Sequence, residues 1–288
     1  MRKILFVASE AHPLMKTGGL GDVVGSLPQA LNALGEDVRL LMPGYRDALQ
    51  QAGPLKTVAE LTLPPLASPV LLLETKLPGT RIKTWLIDFP PAYDRPGNPY
   101  VSAAGSDWPD NFALLSRVAV AIAQGIKRWR WRPDIVHAHD WQAGLVPALL
   151  SLEAKRPATV FTIHNLAYQG LFPPETFTAL NLPESLWSFE ALEFYGQLSF
   201  MKGGIAFADR VTTVSPTYAR EIQTPQFGHG LDGLLRHRAP VLRGILNGID
   251  TKVWNPQRDA LLSARYSAAR VSAGKAANKA ALQAELQL

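Results

Sequence analysis

At 288 residues, 47% hydrophobic and 18% charged, the chain has the composition of a globular protein with room for one large domain or two small ones. It has no cysteine, which excludes a disulfide framework and thiolate chemistry and fits a reducing compartment. The formal charge of +5 does not mark a nucleic-acid binder: from Thr251 onward six basic residues face two acidic ones and supply four of the five charges, and no RNP-like or zinc-finger pattern is present.

In chain order, the apolar run behind Met1-Arg2-Lys3 stops at Ser9-Glu10, too short for a signal-peptide core. No run approaches the roughly 18 apolar residues of a membrane span, so a cytoplasmic protein is expected. Strand-like runs occur at Lys3–Ser9, Asp37–Met42, Thr57–Leu63, Val70–Glu74, Ile82–Ile87, Asp134–His137, Ala158–Ile163, Arg210–Val214 and Val241–Leu246. Several are continuously apolar, as strands covered on both faces are. Helical spacing appears between them at Val23–Leu34, Asn111–Trp129, Ala143–Glu153, Phe200–Phe207 and Leu231–Arg236. Ser215-Pro216 reads as an N-cap and a first-turn proline, which predicts a helix to about Ile222. This alternation predicts an α/β fold with a mostly parallel sheet. Pro90–Pro109 and Leu166–Ser199 break the pattern and read as long loops, the first carrying Tyr93, Tyr100 and Trp108. Ser267–Leu288 reads as a helix with little apolar surface of its own.

Between the first strand and the first helix lies Lys16-Thr17-Gly18-Gly19-Leu20-Gly21-Asp22. A helix N-terminus leaves backbone N–H groups unpaired and carries partial positive charge, and glycines let an anion approach that backbone. A P-loop needs its lysine after the glycines, but Lys16 precedes them. A dinucleotide fingerprint needs a carboxylate at the end of the second strand, but that strand ends in Pro43-Gly44-Tyr45. The loop is therefore read as a phosphate or sugar-phosphate loop of another kind.

In an open parallel sheet, ligands bind beyond the C-terminal strand ends. Polar residues gather at those positions: Glu10, His12 and Lys16; His137-Ala138-His139-Asp140-Trp141; His164-Asn165; Ser215; Asn247-Gly248-Ile249-Asp250. His137 and His139, two apart on a strand, share a face. With Asp140 they are open to three readings: a metal site, strand-end hydrogen bonding, or a site for sugar hydroxyls. No Asp-x-Asp pair occurs, which disfavours a divalent ion as the partner of a diphosphate and favours lysine, arginine and backbone N–H groups. The loop aromatics could stack on sugar faces or simply pack.

Taken together, Lys16–Asp22, His137–Trp141, Thr162-Ile163-His164-Asn165-Leu166-Ala167-Tyr168-Gln169-Gly170, Val214-Ser215-Pro216-Thr217-Tyr218-Ala219 and Leu246-Asn247-Gly248-Ile249-Asp250 closely resemble bacterial glycogen synthase and plant starch synthase, and Tyr93-Asp94-Arg95-Pro96-Gly97 matches as well. The resemblance runs through essentially the whole chain. It implies a GT-B fold of two Rossmann-like domains. Residues 1–250 would form the N-terminal catalytic domain and 251–288 a linker with a helical start, the second Rossmann-like domain being absent from this chain. It implies transfer of glucose from ADP-glucose to the non-reducing end of an α-1,4-glucan with retention, with no metal or other cofactor and neither nucleic acid nor membrane as partner. On the resemblance, His164, Asp140 and Lys16 are the catalytic candidates. Lys16, Gly18, Gly19, Asp22, Glu10, His139, Asn165, Asn247 and Tyr93 are the substrate-binding ones, Tyr93 toward the glucan acceptor. A chain without the second domain would lack the cations that meet the leaving diphosphate, and is expected to be inactive alone. Two other classes stay open: a glucan-binding module without catalysis, and a metal-dependent hydrolase built on His137, His139 and Asp140. Sucrose synthase and phosphorylase fit the glycine loop less well.

Overall fold

The computed structural model describes residues 1–95, 99–101, 107–127 and 129–288. Pro96 and Gly97, part of the matched loop motif, lie outside the described residues. The chain separates into two compact units, Met1–Asn247 and Gly248–Leu288.

In the first unit the strands are β1 (Lys3–Val7), β2 (Asp37–Pro43), β3 (Lys56–Leu61), β4 (Val70–Lys76), β5 (Lys83–Asp88), β6 (Ile135–His139), β7 (Ala158–Ile163), β8 (Leu171–Phe172), β9 (Glu193–Phe194), β10 (Gln197–Ser199), β11 (Arg210–Thr213) and β12 (Leu242–Gly244). Its helices are α1 (Gly19–Ala33), α2 (Arg46–Gln51), α3 (Pro90–Tyr93), α4 (Pro109–Gln124), α5 (Leu145–Leu150), α6 (Pro174–Ala179), α7 (Phe200–Phe207), α8 (Pro216–Glu221) and α9 (Asp232–His237). Nine strands form one sheet in the order β12-β11-β7-β6-β1-β2-β5-β4-β3. All pairs from β12 to β5 are parallel; β4 and β3 add an antiparallel edge. This is a Rossmann-like order. The chain winds from β1 to β2 and β5 on one side, then returns through β6, β7, β11 and β12 on the other. The crossing between β1 and β6 is the switch point at which such sheets bind ligands.

The apolar runs become the sheet interior for the reason the sequence suggests. Leu5, Phe6, Val7, Leu40, Leu41, Leu86 and Phe161 are all fully buried, because helices cover both faces. Ser215 caps α8 through a bond from the Tyr218 N–H at 2.9 Å, and Pro216 takes the first helical position. Other boundaries move. The helix expected over Asn111–Trp129 is α4, Pro109–Gln124; it stops at Gly125, whose φ of +99° no helix accommodates. The helix expected over Ala143–Glu153 splits into a 3-10 turn, Trp141–Ala143, and the short α5. The irregular stretch Leu166–Ser199 contains the small sheet β8-β10-β9, whose strands are two or three residues long and too short to show a period.

The second unit holds one long helix, α10 (Val271–Glu285). Tyr266 packs on Gly274, where a Cβ would meet the Tyr266 side chain at 2.3 Å, and the Asn278 amide bonds both backbone groups of Ala264. Among the described residues no helix is long and apolar enough to cross a membrane.

Candidate active site

Glu10 follows β1 at the switch point and is buried. Its carboxylate accepts the Thr17 N–H at 2.5 Å, the Thr17 hydroxyl at 2.7 Å and, more weakly, the Gly18 N–H at 3.4 Å. The Tyr100 hydroxyl donates to it as well. An anion placed before the N-terminus of α1 is also favoured by the helix dipole. Glu10 thus folds the glycine loop against the sheet, and takes up loop amides that the sequence reading offered to a phosphate. Gly18 and Gly19 face open space, with nothing within 4 Å of where a Cβ would lie, so a ligand can approach their backbone.

Asp140 and His164 follow β6 and β7. Asp140 is buried, with φ +56° and ψ −178°, a conformation that costs a non-glycine residue about 1–3 kcal/mol. Its Oδ1 accepts the backbone N–H of His164 at 2.8 Å and that of Asn165 at 3.4 Å. Burial pushes its carboxyl up to about 7, against those two hydrogen bonds and with help from the Glu10 charge. A strained, buried carboxyl with a perturbed acidity, lining a cleft, marks a functional position.

Three histidines line up beneath it. The rings of His137 and His139 stack at 4.1 Å, as residues two apart on a strand should, and both lie against Phe6. His137 Nε2 pairs with the Thr162 hydroxyl at 2.6 Å, and His139 Nδ1 with His164 Nε2 at 3.1 Å. Burial drives His137 down to about 3 and His164 to about 4, and holds His139 well below its ordinary value. All three are neutral at neutral pH.

These groups border a cleft of about 850 Å³. Of the expected residues, Glu10, Gly18, Gly19, Asp140, His164, Asn165 and Asn247 line it together. Lys16 on the loop and Asp22 in the first turn of α1 lie outside the lining and pair with each other, Nζ to Oδ2 at 2.7 Å, both half-exposed. His139 is fully buried behind the wall and reaches the cleft only through His164, so it is not a direct ligand contact. Tyr93 is a second correction. Its ring is buried edge-on to Tyr45, its hydroxyl donates to the Asn111 carbonyl, and it lines a separate cavity of about 250 Å³. The metal-hydrolase reading also fails on geometry. The His137 and His139 nitrogens that are bonded face Thr162 and His164, and among the described residues no three His, Asp or Glu side chains converge.

The cleft also contains Thr17, Tyr100, Trp141, Gln142 and Gln169, none of them among the site candidates. By sequence Tyr100 is only a loop aromatic able to stack on a sugar, and Thr17, Trp141 and Gln169 are only members of motifs. Tyr100 lies seven residues beyond Tyr93 on the same loop, and it lines the cleft where Tyr93 does not. Trp141 and Gln142 directly follow Asp140, so position next to a strand end was the available signal. Trp141 packs over Gly170, whose φ is +57° and where a Cβ would lie 2.3 Å from the indole. The Tyr218 hydroxyl accepts the Leu166 N–H at 3.0 Å, which ties the capped helix α8 to the His164–Gly170 loop. Three carboxylates, Glu10, Asp107 and Asp140, are among the described lining residues, and neither lysine nor arginine is.

The sheet with a glycine loop and a polar cleft at its switch point is a Rossmann-like domain of the GT-B class, as the solved relative below bears out. The chain belongs to the starch synthase catalytic domain family, whose profile matches residues 3–237. It is 61% identical to glycogen synthase 1 of Methylococcus capsulatus over 267 residues, covering 92% of this chain and 54% of that protein. It is 57% identical to the glycogen synthase of Thioalkalivibrio sulfidiphilus, covering 99% of this chain and 60% of that protein. The solved catalytic domain of starch synthase IV from Arabidopsis thaliana, bound to ADP and acarbose, superposes with a TM-score of 0.81 at 30% identity, over 100% of this chain and 59% of that one. The chain thus spans little more than half the length of these relatives.

Proposed function

We propose that this chain forms one wall of the active site of a glycogen synthase that transfers glucose from ADP-glucose to the non-reducing end of an α-1,4-glucan with retention. Residues 1–250 are its N-terminal catalytic domain, and 251–288 lead toward a second Rossmann-like domain. The observation that carries this reading is the convergence of Asp140, His164, Asn165, Asn247 and the Gly18-Gly19 backbone on one cleft at the switch point. Family membership supports it.

The residues divide the work by their chemistry. Asp140 has one carboxylate oxygen committed to the His164 N–H; the other is available to a sugar hydroxyl. Neutral His164 beside the reacting carbon leaves room for developing positive charge that an imidazolium would repel. Asn165 and Asn247 offer amide donors and acceptors to hydroxyls. Tyr100 and Trp141 give the aromatic wall on the acceptor side. The diphosphate falls to the glycine-loop backbone and to Lys16. An exposed ion pair is worth about 0–1 kcal/mol, so Lys16 can leave Asp22 at small cost, freeing Asp22 for a sugar hydroxyl. No lysine or arginine is among the described lining residues, and on this reading the second domain supplies the further cations for the leaving diphosphate. The cytoplasm, with neither metal, nucleic acid nor membrane as partner, completes the proposal.

The test is glucose transfer from labelled ADP-glucose to glycogen, in a protein where this chain is continued by the second half its relatives carry. Loss of transfer in His164→Ala and Lys16→Ala is the expected result; near-wild-type rates in both would overturn the site assignment. A second reading, a glucan-binding module, draws on the chain's coverage of only 54% and 60% of two relatives. Maltooligosaccharide binding without turnover by the chain as it stands would favour it.

A further inference from the structure

His139 Nδ1 and His164 Nε2 share one hydrogen bond at 3.1 Å, and a bond between two neutral imidazoles holds a single proton. Which ring supplies it is decided by the far side of His139. That ring is fully buried, and its Nε2 has no hydrogen-bond partner among the described residues. If His164 donated from Nε2, His139 would have to carry its own proton at Nε2. That would bury an N–H with no acceptor, an arrangement native interiors essentially avoid. If His139 donates from Nδ1, its Nε2 is a bare buried lone pair, the lesser defect. His164 must then hold its proton at Nδ1. That nitrogen makes no hydrogen bond among the described residues and is not among the buried unpaired atoms, so it is the one that opens on the cleft.

We infer that His139 is a positioning residue: by donating its Nδ1–H to His164 it locks His164 in the Nδ1–H tautomer and presents the cleft with a hydrogen-bond donor. The ring therefore recognises an oxygen acceptor on the bound ligand, which on the reading above is a sugar hydroxyl oxygen. The deduction rests on that reading only for the identity of the ligand.

Two-bond proton–nitrogen correlation spectra of the chain labelled with nitrogen-15 histidine, without ligand at neutral pH, test it. The His164 and His139 signals are assigned by their loss in His164→Asn and His139→Asn. The expected pattern for both rings is a protonated Nδ1 and a bare Nε2. In His139→Asn the side-chain amide takes the place of Nδ1–H and keeps the His164 pattern; in His139→Leu the pattern shifts toward a protonated Nε2. A protonated Nε2 on His164 in the unmutated chain, or a His164 pattern unmoved by His139→Leu, overturns the inference. If His139→Leu does not fold, the unmutated spectrum decides alone. Failure of the glucosyl-transfer reading leaves these spectra as they are, so the two fail separately.

Discussion

The Asp140 carboxylate accepts the backbone N–H of His164 at 2.8 Å, joining the ends of β6 and β7 across the mouth of the cleft. The bond needs only an acceptor oxygen, yet the position holds a carboxyl whose acidity burial has pushed up to about 7.

A carboxyl raised from 3.8 to about 7 by folding is protonated more readily in the folded than in the unfolded chain, so its contribution to stability is lost as pH rises from about 4 through 7. The full shift corresponds to about 4 kcal/mol. Asp140→Asn keeps the acceptor and removes the charge. It is expected to stabilise the chain at pH 8, by a few kcal/mol at most, and to change little at pH 5. Urea unfolding at the two values measures this. On the proposed function the same variant loses glucose transfer.

The histidines act in the opposite direction. His137, His139 and His164 are all held below 6.5, so the unfolded chain binds their protons first and stability falls as pH drops below 6.5. Between about pH 4.5 and 6 the three histidines outweigh the raised carboxyls of Asp140 and Asp107, so stability falls as pH drops. Asp209, held down to about 2 by Arg156, acts only below this window. A urea midpoint that stays level from pH 6.5 to 5 would contradict the burial of these rings.

Lys16 and Asp22 separate stability from function. Their pair is half-exposed, and removing either partner is expected to move the melting temperature little, in line with about 0–1 kcal/mol. On the proposed function, and in a protein where the chain is continued by the second half its relatives carry, Lys16→Ala is nonetheless expected to lower glucose transfer by about 10²-fold or more, the usual cost of one electrostatic donor at a site of charge development. Calorimetry and kinetics on the same preparations read both effects.

Gly170→Ala tests the aromatic wall. The added methyl would enter the Trp141 indole at a backbone conformation unfavourable to any side chain. Overpacking and the positive φ together are expected to cost about 2–4 kcal/mol. Trp141 is packed against Phe112, Phe172 and Phe200, so a change in tryptophan fluorescence should accompany the loss.

Local chemistry was legible from the chain. Ser215 caps α8 because a serine followed by proline has few better uses, and the buried strands announce themselves as apolar runs. The shared face of His137 and His139 follows from the two-residue period of a strand. The choice between Tyr93 and Tyr100 was not legible. Both sit on one loop, and only the folding of that loop over Glu10 sends one hydroxyl to the cleft and the other to the Asn111 carbonyl. The small sheet around β10 escaped for a related reason, since two-residue strands exist only by virtue of their partners.

By itself, the alternation of strand-like and helical runs determined the α/β class, because periodicity and turn chemistry are written within a few residues of one another; the family came from the resemblance of the ordered motifs to known sequences. The tertiary structure decided which motif residues meet. Strand order brings the ends of β1, β6 and β7 to one switch point, and side-chain direction there makes His139 a support and His164 a lining group. It also leaves Lys16 bonded to Asp22 at the rim. The switch point depends on strands more than a hundred positions apart, β1 against β6, and the His139–His164 bond on strands paired across 25 positions, so no local pattern encodes them.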